Sequence, residues 1–411
     1  MRIGTSPQGI SYAIRRSGRA VAYCALTIGC GTRNEDGYPA GIAHFVEHTL
    51  FRGTRRKSAA VIGSYLDRLG GELNAYTTKE EIVLHATTLK EDWKKAVNLL
   101  LELATQASFP EREVETERGV VLDEIISYKD NPPEEVYDRF ESLLFAGSSL
   151  ETPILGTAGS VKKITPQMLR SFVSSHFVPE KMVLTVVADA DEARLEKQLL
   201  CLLARALGPS SARPVLPAAI PSEASPAPAF CKVIDKRHHE VNAVIGCRAP
   251  SLYQTPDRLV CAMLAGILGG PATNSLLNRE LREKRGWVYG IECSYTQYAD
   301  TGVLAISFGC DRSNLEPCRR AVARILQQLQ DKPLTPAQVK SYRKQLLGQL
   351  AISGESGEAQ CLSMGKSLLA WGEILTPEQT RTLLEAITPE DLQAMARRLF
   401  APGRLSTLIY L

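Results

Sequence analysis

Apolar positions recur at two periods along the chain, and the alternation between them sets the expected architecture. Val21–Ile28 reads as a strand, and the Gly/Asn/Asp-rich stretch 29–39 as a turn region leading into a helix that Gly53-Thr54 ends. Ala59–Leu69 has a helical stripe stopped by Gly70-Gly71. Residues 72–81 and 82–87 read as two strands of a hairpin. Lys90–Gln106 places Trp93, Val97, Leu100, Leu101 and Ala104 on one helical face. Pro110 opens a helix running to about Tyr128. Asn131-Pro132-Pro133 breaks the pattern, and a further helix and loop lead to a helix over Pro166–His176, a strand over Met182–Ala188 and a helix over Asp191–Leu207.

The second half repeats the first. Phe109-Pro110-Glu111-Arg112-Glu113-Val114 aligns with Leu334-Thr335-Pro336-Ala337-Gln338-Val339 at an offset of 225 residues, and Ile164-Thr165-Pro166 with Ile387-Thr388-Pro389 at 223. Phe177-Val178-Pro179 aligns with Phe400-Ala401-Pro402 at 223 as well. The mixture of both periods in each copy excludes a plain solenoid and predicts an α+β fold of two duplicated domains, each an antiparallel-rich sheet packed with helices. The expected boundaries are an N-terminal domain over 1–207, a Pro/Ala/Ser-rich linker over 208–228 and a homologous C-terminal domain over 229–411.

The first copy contains Gly41-Ile-Ala-His44-Phe-Val-Glu47-His48-Thr-Leu-Phe51. On a helix, His44 and His48 lie on one face a turn apart and can bind one divalent ion, with Glu47 beside them. Glu47 can then reach a water at that ion without binding the ion itself, as a general base must. Histidines at helical spacing also arise by chance, and a buried histidine is usually just hydrogen-bonded. Against that, two of only six histidines fall here, in a markedly apolar segment where unpaired polar groups are costly. Glu117 and Glu124, seven apart on the later helix, share a face flanked by Val114, Val121 and Ile125. Glu124 is the candidate third ligand, and Glu117 the candidate acceptor that orients a histidine. In the repeat these two map to Tyr342 and Gln349, and the stretch around Cys261–Leu268 holds no histidine. The candidate site therefore belongs to one copy, and the other is a domain without metal ligands.

Composition narrows the alternatives. Lys+Arg 48 against Asp+Glu 45 leaves a net charge of +3, too balanced to argue for nucleic acid or a membrane surface. The ten cysteines include no Cys-x-x-Cys pair and read as buried apolar residues or free thiols of a reducing compartment. The segment Met1–Pro7 has no apolar signal core, and no apolar run approaches a membrane span, so the expected location is cytoplasmic.

His44-x-x-Glu47-His48, followed 76 residues later by Glu124 in the run Glu117-Arg-Gly-Val-Val-Leu-Asp-Glu124, resembles the inverted zincins (inverzincins), the metallopeptidases grouped with pitrilysin, insulin-degrading enzyme and mitochondrial processing peptidase. The resemblance runs over nearly the whole chain. It implies His44, His48 and Glu124 as ligands of Zn2+, Glu47 as the catalytic base and Glu117 in support. It implies that Asn74, Ala75 and Tyr76 lie on an edge strand that pairs with an extended peptide substrate. Arg282 and Tyr289, which on chemistry alone read equally as a surface charge and a sheet residue, become donors to substrate carbonyls. Long members enclose a chamber with four such domains. Two domains here imply a dimer, expected to be a homodimer in which Arg282 and Tyr289 of one copy complete the site of the other, with an inactive homologous partner subunit as the alternative. The resulting expectation is a zinc endopeptidase hydrolysing peptides or unfolded segments in a dimeric chamber. Its rivals are a peptide-binding subunit without turnover and a purely structural metal.

Overall fold

A computed structural model of the chain describes residues 1–209, 228–237 and 239–411. The tract expected as a linker, 208–228, lies outside the described residues except at 208, 209 and 228. The first half runs β1 (Arg2–Thr5), β2 (Ser11–Arg16), β3 (Val21–Ile28), α1 (Ile42–Leu50), α2 (Ala59–Gly63), β4 (Glu72–Thr77), β5 (Ile82–Leu89), α3 (Trp93–Gln106), α4 (Glu111–Lys129), α5 (Pro132–Leu144), α6 (Ala158–Val161), α7 (Pro166–His176), β6 (Met182–Ala188) and α8 (Glu192–Leu207). The second runs β7 (Cys231–Ile234), β8 (Val241–Ala249), α9 (Asp257–Gly269), a π-helical turn (Asn278–Glu283), β9 (Val288–Gln297), β10 (Gly302–Cys310), α10 (Leu315–Asp331), α11 (Pro336–Gly354), α12 (Gly357–Trp371), α13 (Pro377–Glu385), α14 (Pro389–Leu399) and β11 (Ser406–Tyr410).

The expected elements appear with two shortenings, one of them the strand expected over 72–81, which ends at Thr77 and gives way to a turn. The helix expected over Ala59–Leu69 stops at Gly63, and only a 3-10 turn at Asp67–Leu69 follows. Gly63 is a poor helix former, and the Ser64 hydroxyl donates back to the Ala60 carbonyl at 2.9 Å, competing with continuation of the helix.

Each half builds one mixed sheet. The first has the order β1-β2-β6-β3-β5-β4 and the second β7-β11-β8-β10-β9. The duplication is exact in pairing sense. β2–β6 and β7–β11 are parallel, and the remaining neighbours of that common five-strand core are antiparallel. Thus β4 and β9 are equivalent edge strands, and α4 and α11 equivalent helices at the offset of 225 read from the sequence.

The compact units are discontinuous in chain order. Among the described residues, 1–125, 152–209 and 351–375 form the first, and 126–151, 228–237, 239–350 and 376–411 the second. The boundaries expected at 207 and 229 describe chain order alone, because α12 packs with the first sheet and its repeat equivalent α5 with the second. In the first unit Cys361, Met364 and Leu368 of α12 join Ala13, Ala25, Val83, Val183 and Val187 on one face of the sheet. The other face carries a larger core, with Phe45, Leu50, Leu100, Val121 and Phe172 among its buried side chains. In the second unit Phe140 and Leu144 of α5 pack with Val244, Val303 and Leu408.

A glycine lets α12 approach this closely. A Cβ at Gly365 would press on the buried Thr27 hydroxyl of β3. Gly365→Ala is therefore expected to cost about 1–3 kcal/mol by overpacking, even though Ala is favoured over Gly in a helix by about 1 kcal/mol. The urea midpoint at unchanged m-value measures this, and a rise in the midpoint would contradict the packing described.

Candidate metal centre

Helix α1 is held at its start by a carboxylate. Gly41, its cap, has φ 88°, and a Cβ there would collide with the Leu155 carbonyl, so only glycine serves. The cap has no side chain. The buried Glu35 replaces it, accepting from the amides of Gly41 and Ala43 at 3.0 Å each. Burial pushes the Glu35 carboxyl up to about 7, against the two amides that favour its charge. Apolar positions Ile42, Phe45, Val46 and Leu50 bury one side of α1. This leaves His44, Glu47 and His48 facing α4.

Helix α4 is set rotationally by Val114, Val121 and Ile125 in the core and by Arg118, which donates to the carbonyls of Val161 and Ile164 at 2.5 and 2.9 Å. Glu117 and Glu124 thereby point at α1. His48 Nδ1 lies 2.8 Å from Glu117 Oε1, and the second oxygen of the buried Glu117 is ion-paired with Arg52. A proton on Nδ1 donated to Glu117 leaves the His48 Nε2 lone pair free to act as a ligand.

The three atoms expected as ligands converge. Glu124 Oε2 lies 3.3 Å from His48 Nε2 and 3.7 Å from His44 Nε2, and the three candidate ligand atoms all lie within 4.8 Å of one another. Tetrahedral ligands at ~2.1 Å from one ion would stand about 3.4 Å apart. The approach of His48 to Glu124 lacks hydrogen-bond geometry, so Glu124 Oε2 is buried without a hydrogen-bond partner. An orphaned carboxylate oxygen facing two imidazole nitrogens is costly unless a cation fills the space between them. Glu47 and Glu117 add two further carboxylates around the same point, so the residues present fit a divalent cation.

Glu47 is half-buried, and burial raises its pKa. Its Oε2 accepts a 3.0 Å hydrogen bond from the Thr77 hydroxyl at the end of β4. In the sequence Thr77 falls within the stretch 72–81 that reads as a strand. Its position two residues after Ala75, on the same strand face, was the available signal. Arg52, four residues after His48, was legible in the same way. Glu35 had no such signal, because the loop that returns it to α1 has no period.

The residues expected on the substrate strand divide between two faces. Leu73 and Ala75 pack toward the core that holds α1. Tyr76 packs toward α12, with Lys366 Nζ 5.7 Å from its ring centre. Side chains of Asn74 and Tyr76 therefore share the face away from Glu47. Arg282 and Tyr289 belong to the second unit, as does every residue of β9, and both are exposed. The Tyr289 hydroxyl donates to Asp311 Oδ1 at 2.7 Å.

The cysteines are free, and eight of the ten are buried, in keeping with the reading of small apolar residues. Among the described residues no helix is long and apolar enough to cross a membrane.

Two histidines and a carboxylate gathered around one point on a duplicated α+β fold define a metallopeptidase-like centre, and comparison with known proteins agrees. The sequence matches the insulinase model of peptidase family M16 over residues 12–158 and the peptidase M16 inactive-domain model over 163–346. An uncharacterized zinc protease of Streptomyces coelicolor is 30% identical over 370 residues, spanning 89% of this chain and 80% of the relative. The uncharacterized zinc protease YmxG of Bacillus subtilis is 27% identical over 395 residues, 95% of this chain and 93% of its own. A protease from Helicobacter pylori superposes with a TM-score of 0.90 at 20% identity, covering 100% of this chain and 99% of that one. A peptidase M16 inactive domain from Pseudomonas fluorescens gives 0.88 at 19% identity, covering 100% and 97%. The chain belongs to peptidase family M16. The converging histidines and Glu124 all fall within the first match, and the inactive-domain match over 163–346 contains none of them.

The electrostatics predict a pH signature for the metal-free protein. Burial alone would lower the His48 pKa, but the carboxylates of Glu117, Glu124 and Glu47 outweigh it and hold His48 at about 9. Burial and neighbouring His48 hold His44 at about 4. A histidine raised from 6.5 to about 9 stabilises the fold fully below 6.5 and loses that contribution as the pH rises to 9. His44, lowered from 6.5, loses its contribution as the pH falls toward 4. The Tm of the chelator-treated protein is expected to decline on both sides of pH 6.5, and Glu117→Gln to flatten the alkaline limb. An alkaline limb unchanged in that variant would contradict the His48–Glu117 assignment.

Proposed function

We propose that the chain is a zinc-dependent endopeptidase acting on peptides or unfolded protein segments. The observation that carries the reading is the meeting of His44 Nε2, His48 Nε2 and Glu124 Oε2 beside a non-ligating carboxylate, Glu47. A closed structural zinc site is usually a four-ligand set rich in cysteine, whereas three protein ligands and an adjacent base suit catalysis. In this reading His44, His48 and Glu124 hold Zn2+, which when bound supplies Lewis-acid polarisation of the scissile carbonyl and acidifies water. Glu47 takes the proton as water attacks the carbonyl carbon, and returns it to the amine nitrogen as the C–N bond breaks. Glu117, neutralised in part by Arg52, keeps the His48 ring turned toward the ligand position.

The substrate is an extended peptide added to the free edge of β4 at Asn74–Tyr76. Recognition there runs through the backbone, because the side chains of Asn74 and Tyr76 occupy the opposite face from Glu47. Unfolded segments fit such an edge because their amides and carbonyls are unpaired. We further propose that the enzyme works as a homodimer, with Arg282 and Tyr289 of one copy aiding carbonyl recognition in the other. The support is that a single chain carries both the metal-ligand set and this exposed pair.

Four outcomes test the reading. Glu47→Gln is expected to retain zinc and to lose peptide cleavage by at least about 100-fold, since a positioned base contributes about 10²–10⁴; cleavage at the wild-type rate would remove Glu47 from the mechanism. A chelator should stop cleavage of a quenched fluorescent peptide without melting the fold, and readded zinc should restore it. A zinc-loaded wild type that binds peptide and never cleaves it favours the rival, a peptide-binding subunit. Light scattering on the eluting protein should give twice the chain mass, and a monomer that cleaves at full rate would contradict the dimer.

A further inference from the structure

We propose that Thr77 is the positioning residue for Glu47, tying the base to the strand edge on which substrate lies. The inference rests on the peptidase reading above. The Thr77 hydroxyl donates to Glu47 Oε2 at 3.0 Å, so one carboxylate oxygen is engaged and Oε1 is the oxygen presented for the proton of the attacking water.

The geometry around Thr77 is fixed from several sides. It is the last residue of β4, paired in register with Ile82 of β5. The turn that follows is clamped. The Thr78 hydroxyl accepts from the amides of Glu80 and Glu81 at 3.2 and 3.0 Å, and the Thr78 amide donates to the Glu81 carbonyl at 2.8 Å. The Thr78 carbonyl in turn accepts from the amide of Thr32, in the loop that leads to α1. β4 alternates faces, with Leu73 and Ala75 toward the α1 core, so Thr77 falls on that side. A β-branched threonine has few rotamers in a strand, which confines its hydroxyl. α1, for its part, is pinned at Gly41 and Ala43 by Glu35. The hydroxyl and the carboxylate thus meet between two independently anchored elements.

Glu47 needs such a partner. A glutamate has three side-chain torsions, and the terminal one is broad. Without a partner its carboxylate samples orientations that face neither the water nor the amine. The hydroxyl selects one. Because Thr77 is the continuation of the strand to which a peptide adds, a backbone shift of β4 on substrate addition is transmitted to the base through a single hydrogen bond. During the reaction Thr77 neither gains nor loses a proton. The water proton goes to Glu47 and then to the leaving amine, as the C–O bond forms and the C–N bond breaks.

The test uses the full-length, zinc-loaded protein and a quenched fluorescent peptide. Thr77→Val keeps shape and strand propensity while removing the hydroxyl. The expected result is a kcat lowered about 10- to 100-fold, as for other orienting partners of active-site ligands, with KM and zinc content unchanged. Thr77→Ser should restore kcat to within a few-fold. A crystal structure of Thr77→Val should show the Glu47 carboxylate displaced or split, and that of Thr77→Ser a single orientation. In a Glu47→Gln background Thr77→Val should add no further loss, and this comparison decides the case if Val lowers stability. The proposal is overturned if Thr77→Val matches the wild-type kcat, if the loss falls on KM alone, if Thr77→Ser is as impaired as Val, or if the losses of Glu47→Gln and Thr77→Val multiply. A wild type that cleaves nothing when zinc-loaded sinks the peptidase reading itself, whereas an active wild type with an equally active Thr77→Val removes only the role of Thr77.

Discussion

A carboxylate oxygen buried with no hydrogen-bond partner, Glu124 Oε2, between the Nε2 atoms of His44 and His48 is the constraint around which the first unit is arranged. Leaving such an atom unsatisfied is expensive, and a divalent cation shared with the two imidazoles would resolve the cost. The elements around it act to hold the three atoms together. Glu35 anchors the start of α1, Arg118 and three apolar residues fix the rotation of α4, and Glu117 with Arg52 sets the His48 ring. None of these side chains touches the ligand position itself, yet each removes a freedom that would let the atoms drift apart.

The duplicated fold explains how one copy could specialise. The five strands common to both sheets share order and pairing sense, and among the described residues both sheets end on an edge strand, β4 or β9. Where the first unit places Glu117 and Glu124 on α4, the second places Tyr342 and Gln349 on α11, and α9 carries Cys261, Met263 and Leu264 where α1 carries its histidines. The scaffold tolerates the loss because packing is carried by Val114, Val121 and Ile125 in one copy and by residues such as Val339 in the other, not by the ligands. The exchange of α5 and α12 between units binds the two halves of the chain into one pattern that no boundary in sequence order could reveal.

What was legible in the sequence follows from what has a period. His44 and His48 at a spacing of four, and Glu117 and Glu124 at seven, could be placed on helix faces before any coordinates, and the faces meet as expected. The repeat offsets gave the duplication. The exchanged helices were not legible, because amphipathic stripes on α5 and α12 say that a face is buried without saying on which sheet. The Glu35 cap was hidden for a related reason: it depends on a loop path, not on a spacing. The break of α2 at Gly63 was overlooked because the apolar stripe continued through it, and local hydrogen bonding by Ser64 prevailed over periodicity.

X-ray absorption at the zinc edge on the purified, zinc-reconstituted chain tests the central claim most directly. The account predicts an inner shell of nitrogen and oxygen alone at about 2.0–2.2 Å, with the outer-shell scattering of two imidazoles, which Glu124→Ala perturbs while both imidazoles remain. A sulfur shell near ~2.3 Å, or a zinc spectrum unchanged when His44 or His48 is replaced, would place the metal elsewhere and contradict it.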